Sequence, residues 1–324
     1  RCTLPTPASK HTGLKHMHTA LDCIPCLARQ ALEAARLSTT DRAIHERLLR
    51  EVLLATAAMD FSQSPVVMAQ RVHRKLRCMT GVHDPYRGVK DSFNDMALSM
   101  LGEMEAELAA SADPVALALR LAIAGNVIDF GVNGNLGEAE VRRGMVRVLS
   151  EPFHGDIEAF RRAINGARRI LYLADNAGEI VFDRLLIERL PVERVVVAVR
   201  GGPVLNDATM QDAEVAGLCG LVEVIDNGWD APGTVLSDCS EAFRQRFAAA
   251  DLIIAKGQGN FESLSDEAAD IWFLLKVKCP VIAECFGLPV GTHVLTRRPG
   301  SLPASGGQRP CAGSLEVGQN SCEH

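Results

Sequence analysis

Five short apolar runs in the second half of the chain each end in polar residues that can bind ions: residues 170–174, 194–199, 222–225, 252–255 and 280–283. The first ends in Asp175-Asn176-Ala177-Gly178-Glu179. The second ends in Arg200-Gly201-Gly202-Pro203, with Asn206-Asp207 opening the next helix. The third ends in Asp226-Asn227-Gly228, the fourth in Lys256-Gly257-Gln258-Gly259-Asn260, and the fifth in Glu284. Asp175, Asn176 and Asp207 supply hard oxygen ligands, which suit Mg²⁺ or Mn²⁺. Lys256 adds a fixed positive charge. Gly257 and Gly259 let backbone N–H groups approach an anion where a helix begins and its dipole helps. A divalent ion beside a lysine and a glycine-rich loop is what phosphoryl transfer to water requires. The ion polarises a phosphoryl oxygen and lowers the pKa of a water, and the cation and N–H groups stabilise charge in the transition state.

These residues need a scaffold that gathers them. Helical stretches at 179–190, 206–218, 237–249 and 265–277 separate the apolar runs, and a last strand fits 292–295. Strands alternating with single helices imply βαβ units and a parallel sheet covered on both faces. In such a sheet, ligands bind outside the carboxyl ends of the strands, where the polar residues fall. Before residue 166 the apolar period is helical, with helices expected at 65–77, 89–108, 114–127, 138–149 and 157–165 after two earlier ones. Asp41 suits an N-cap, and Asp113-Pro114 reads as a cap followed by proline at the first helical position. The expected fold is α/β: a Rossmann-like three-layer αβα domain with a mostly parallel sheet, preceded by an all-α domain. The expected divisions are a disordered extension at 1–16, a helical domain at 17–165, a metal-binding catalytic domain at 166–296 and a disordered Gly/Ser/Pro-rich tail at 297–324.

Composition narrows the partners. The 324 residues carry a formal net charge of −6, which argues against nucleic acid. No apolar run approaches the roughly 20 residues of a membrane span, and no signal peptide is visible. Ten cysteines scattered through a long chain suit reduced thiols and the cytoplasm. Nothing in the sequence reports the oligomeric state.

Plainer readings compete with each feature. Asp175-Asn176 and Asn206-Asp207 are good helix caps, and Lys256 could be a solvated lysine. Asn126 and Asp129 could satisfy a helix end, and turn chemistry accounts for Asp226-Asn227-Gly228. Cys23-x-x-Cys26 is only half a zinc site and sits at a helix start, so it reads as structural or unassigned. His73 and His83 are isolated.

Six strings, in order, resemble the damage-control phosphatase family, long catalogued as a domain of unknown function and including a protein once proposed as a carboxyl methyltransferase. They are LDCIPCLARQALEAAR (21–36), DPYRGVKDSFNDMAL (84–98), AGNVIDFG (124–131), LADNAGEIVFD (173–183), RGGPVLNDAT (200–209) and AKGQGNFESL (255–264). The Cys-x-x-Cys looks like the mainly prokaryotic branch. The resemblance implies a metal held by Asp175, Asn176 and Asp207. It implies phosphate contacts from Lys256, its glycine loop and Asn126. It also implies hydrolysis of small phosphate esters, sugar phosphates or damaged phosphometabolites, with Mn²⁺, Mg²⁺, Co²⁺ or Ni²⁺. Aspartyl-nucleophile phosphatases carry a second aspartate two residues after the first; Ala177 stands there, which favours attack by metal-activated water. The alternatives are an S-adenosylmethionine-dependent carboxyl methyltransferase and a non-catalytic metal-binding module. DNAGE offers a single glycine where a methyltransferase needs a glycine-rich loop. A dinucleotide-dependent dehydrogenase lacks its G-x-G-x-x-G after the first strand.

Overall fold

The structure, a computed structural model, describes residues 18–125, 148 and 151–297. The expected helix at 138–149 and the two terminal segments lie outside the described residues, apart from Val148 and Arg297. Five helices come first: α1 (Cys23–Ser38), α2 (Arg42–Ala57), α3 (Pro65–Thr80), α4 (Arg87–Ala110) and α5 (Pro114–Ala124). Their starts follow local chemistry. The Asp41 carboxylate accepts from Ala43 N–H at 2.8 Å, and Asp113 accepts from Ala116 N–H at 3.0 Å with Pro114 behind it. Helices α1–α3 bury Leu27, Ala31, Leu48, Val52, Val72 and Leu76 in a small core of their own.

A seven-stranded sheet follows. Its strands are β1 (Phe153–His154), β2 (Ile170–Leu173), β3 (Val195–Val199), β4 (Glu223–Asp226), β5 (Leu252–Lys256), β6 (Ile271–Lys276) and β7 (His293–Thr296). The order is β1-β7-β6-β5-β2-β3-β4, parallel throughout except that β7 runs against β6. Between the strands lie α6 (Ile157–Gly166), α7 (Glu179–Ile187), α8 (Met210–Val215), α9 (Glu241–Ala249), α10 (Gly257–Leu264) and α11 (Pro280–Phe286). The chain winds outward from β2 through β3 to β4, then returns to β5 and β6. Neighbouring β2 and β5 therefore form the switch point, where the crossovers part and leave a crevice.

Alternate strand residues enter two apolar cores, as the period of two requires. Tyr172, Val197, Ile254 and Leu274 face one; Leu171, Ala198, Ile253 and Phe273 face the other. The first core continues into α4 and α5 through Phe93, Met100, Leu119 and Ile123. These two helices cover the sheet as much as they follow α3, so a division at residues 165 and 166 cuts through one continuous core. No helix among the described residues is long and apolar enough to cross a membrane.

Two segments differ from the sequence expectation. Residues 271–276 form β6, where a helix at 265–277 was expected, and 280–286 form α11, where a strand at 280–283 was expected. The run IWFLLK is buried at every position, so it carries no period that separates a helix from a strand. Pro280 sits in the first turn of α11, where its missing N–H costs nothing. Glu284 is therefore a helix residue. The strand that delivers groups to the carboxyl edge here is β6, followed by Lys278.

Candidate active site

The site is built where β2 and β5 part. Asp175 and Asn176 leave the end of β2, and Asp207 follows the loop after β3. Two backbone bonds sew the segments together: Ala177 N–H donates to Asn206 C=O and Ala208 N–H to Asp175 C=O, each at 2.8 Å. Asn176 and Asp207 thus pair as an isolated antiparallel bridge. Just before Asn206, Leu205 has φ of +46°, the one non-glycine with positive φ among the described residues. Such strain persists only where the surroundings over-determine it. Helix α3 supplies part of that constraint. Arg77 donates to Pro203 C=O at 2.7 Å and pairs with Asp230, which also takes Arg74 at 2.6 Å and Gln70 at 2.8 Å.

Side chains complete the cluster. Asn176 Nδ2 donates to Asp175 Oδ2 at 2.8 Å and to Glu179 Oε2 at 3.0 Å. The amide nitrogen is thereby spent, and the amide oxygen is the end left for a cation. Arg200 is buried and donates from Nε to Asp207 Oδ1 at 2.7 Å and from Nη1 to Thr234 and Asn260, each at 3.2 Å. Its Nη2 stands 3.8 Å from Asp175 Oδ1 and has no hydrogen-bond partner among the described residues. Burial pushes the Asp175 carboxyl well above the usual range, Glu179 and Asp207 push it further, and Lys278 and Arg200 pull it back. Crowded carboxylates at a buried point are relieved by a cation, so these hard oxygens fit a divalent ion.

Gly257 closes the crevice from β5. Its φ is +78°, and a Cβ there would lie 1.9 Å from Asp175 Oδ2. Only glycine lets the carboxylate lie across this helix start. Residues 257–260, expected as a glycine loop, are the first turn of α10. Gly259 lies against Pro232, whose carbonyl oxygen a Cβ would strike at 1.9 Å. Asn260 Nδ2 ties the two strand ends, donating to Lys256 C=O at 2.8 Å and to Ala174 C=O at 3.3 Å.

Lys256 differs from expectation. Its side chain is fully buried. The ammonium donates to Asp183 Oδ1 at 2.5 Å, Glu179 Oε1 at 2.6 Å and Ala122 C=O at 2.8 Å. All three hydrogens are used among the described residues, and the lysine holds Glu179 in place. Tyr172 O–H bonds Asp183 at 2.9 Å at the far end of the chain. Burial raises the Asp183 carboxyl to about 6 against the pull of Lys256 and Tyr172. Asn126 and Asp129 lie outside the described residues. Cys23 and Cys26 open α1 and are not members of the cluster.

The sequence reading left Glu179, Arg200 and Lys278 off the site. Glu179 and Arg200 stood in strand-end strings already noted, but nothing marked them as partners of the ligands. Lys278 was hidden by the mistaken helix at 265–277. A cavity of about 670 Å³ opens at the opposite end of β2–β4, lined by Arg168, Arg169, Arg194 and Arg246, and holds none of the residues above. Asp175, Asn176 and Asp207 lie instead at the carboxyl edge of the sheet.

Comparison with known proteins bears on the family and the fold. Residues 19–294 match the model of the damage-control phosphatase ARMT1-like domain. An uncharacterized protein of Methanocaldococcus jannaschii is 36% identical over 294 residues, covering 86% of this chain and 94% of its own. A damage-control phosphatase of Archaeoglobus fulgidus is 35% identical, with 84% and 96% covered. The damage-control phosphatase PH1575 of Pyrococcus horikoshii is 33% identical, with 87% and 98% covered. The crystal structure of a DUF89 family protein from the same archaeon superposes with a TM-score of 0.79 at 33% identity, covering 87% of this chain and all of that one.

Proposed function

This chain belongs to the damage-control phosphatase ARMT1-like domain family and is a metal-dependent phosphatase; from that premise we propose that Asp175, Asn176 and Asp207 hold its divalent cation. One observation supports the proposal: Asn176 and Asp207 pair as a backbone bridge between two strand ends, and the carboxylates of Asp175 and Asp207 both lie against buried Arg200, whose Nη2 has no hydrogen-bond partner among the described residues. When bound, Mn²⁺, Mg²⁺, Co²⁺ or Ni²⁺ would polarise a phosphoryl oxygen and ease deprotonation of water.

The residues around the ligands take separate tasks in this reading. Arg200 Nη2 is placed to donate to a phosphoryl oxygen, and Lys278, within electrostatic reach of Asp175, adds a second positive charge. The N–H groups of Gly257 and Gly259, at the start of α10, are offered to the same anion. Lys256 and Glu179 fix the amide of Asn176. Asn126 stays in the proposal as a phosphate contact. The substrates are small phosphorylated metabolites, sugar phosphates or damaged phosphometabolites, and the cytoplasm is the compartment. A methyltransferase is disfavoured locally. Gly178 packs against Phe93, which a Cβ would approach to 3.0 Å, so α4 closes on the turn where a cofactor loop would open.

The test is a panel of phosphate esters presented to chelator-stripped protein, with each cation returned separately. Release of phosphate is expected only after a cation is restored. Absence of release from every ester with every cation would contradict the assignment.

A further inference from the structure

The string DPYRGVKDSFNDMAL carries the resemblance, yet no task in the chemistry falls to it. It forms the start of α4, and one of its side chains reaches both ligand-bearing segments. Asn94 is 1% exposed. Its Oδ1 accepts from Gly178 N–H at 2.7 Å, two residues after Asn176. Its Nδ2 donates to Asp212 Oδ1 at 2.9 Å, in the helix that follows Asp207. Gly178 lies beneath the same turn of α4, with φ of +76° and Phe93 against it. The helical segment and the two strand-end segments therefore meet through one amide.

Asp212 is a firm anchor. Its carboxylate is fully buried and closes the capping box of α8, accepting from Thr209 N–H at 2.9 Å and Thr209 Oγ1 at 2.8 Å. Arg87 pairs with it at 2.7 Å and Lys90 at 3.2 Å. Burial raises this carboxyl, but Lys90, Arg87 and Thr209 outweigh burial and hold it at about 2. The Gly178 end needs an acceptor and the Asp212 end needs a donor. A carboxamide supplies both within one rigid plane; a carboxylate or an alkyl group cannot.

We propose that Asn94 is a positioning residue that sets the spacing between the Asp175-Asn176 turn and the Asp207 segment, and through it the affinity for the cation. The inference rests on reading Asp175, Asn176 and Asp207 as the ligands. Groups hydrogen-bonded directly to metal ligands are worth about 10- to 100-fold in metal affinity; Asn94 acts one step further out, through Gly178 N–H and Asp212, so the lower end of that range is expected.

The experiment titrates Mn²⁺ alone into the full chain without substrate, by calorimetry and by electron paramagnetic resonance. Asn94→Asp keeps the acceptor but sets a negative charge against Asp212. Asn94→Ser removes the reach without adding charge. Both are expected to weaken Mn²⁺ binding about tenfold, while kcat at saturating Mn²⁺ stays within about threefold. Arg87→Gln removes one charge from Asp212 but leaves it held by Lys90, Thr209 and the Asn94 amide. It is expected to lower Tm and to leave the Mn²⁺ Kd within about twofold, a split that a merely structural role for Asn94 would not give. A folded Asn94 variant binding Mn²⁺ as tightly as the parent would overturn the proposal. So would equal weakening in Arg87→Gln, or loss of fold in both Asn94 variants. Failure of the parent chain itself to bind Mn²⁺ would instead strike the ligand assignment.

Discussion

Lys256→Met is expected to cost the fold about 3–5 kcal/mol, the range for removing one partner of a buried ion pair. The ammonium is the shared partner of Glu179 and Asp183, and all three side chains are buried. Without it, two carboxylates stay 0–2% exposed with no opposing charge. Methionine matches the length and adds no donor. A fall in Tm on the order of 10 °C in a thermal melt is the expected readout, given a few degrees per kcal/mol for a domain of this size. The same variant is expected to bind Mn²⁺ weakly, because Glu179 no longer fixes Asn176. A lysine that touched only a substrate phosphate would behave otherwise: Tm and Mn²⁺ binding would hold and KM would rise. The melt therefore separates the two tasks.

Asp207→Asn is expected to lower kcat by about 10³-fold, or about 4 kcal/mol of barrier, in a phosphate-release assay at saturating substrate. The change is isosteric. Arg200 Nε keeps its claim on the side-chain oxygen, so the new NH₂ faces the cation and repels it. Raising Mn²⁺ should not restore the rate. Tm should fall as well, since Arg200 loses the charge of its buried partner at 2.7 Å, so the rate is compared well below the melting range of the variant. Retention of activity within tenfold would remove Asp207 from the ligand set.

Much of this architecture was legible from period and punctuation. β2, β3 and β5 are short, β-branched runs bounded by glycine and amide residues, and the structure places them within a residue of the expected bounds. The failure at 265–283 was physical. A strand buried on both faces has no alternation, so its pattern does not separate it from a buried helix. That slip also hid Lys278. The carboxylate partners of Lys256 were hidden for a related reason. Its place at the end of a strand is legible, but the acids that occupy it, Glu179 and Asp183, lie on a different helix, and strand order is not written in one sequence. The switch point depends on the same order. Once β5 stands beside β2, the contact of Gly257 with Asp175 follows from topology. Asn94 shows a further limit: an asparagine in mid-helix gives no local sign of the two distant segments it joins.

The central claim is that side chains from two strand ends share one cation. Anomalous diffraction from a crystal soaked in Mn²⁺ measures it most directly. A single strong peak is expected, bounded by Asp175, Asn176 and Asp207, beside the first turn of α10. A peak elsewhere with none at this crevice, while the soaked protein still releases phosphate, would contradict it.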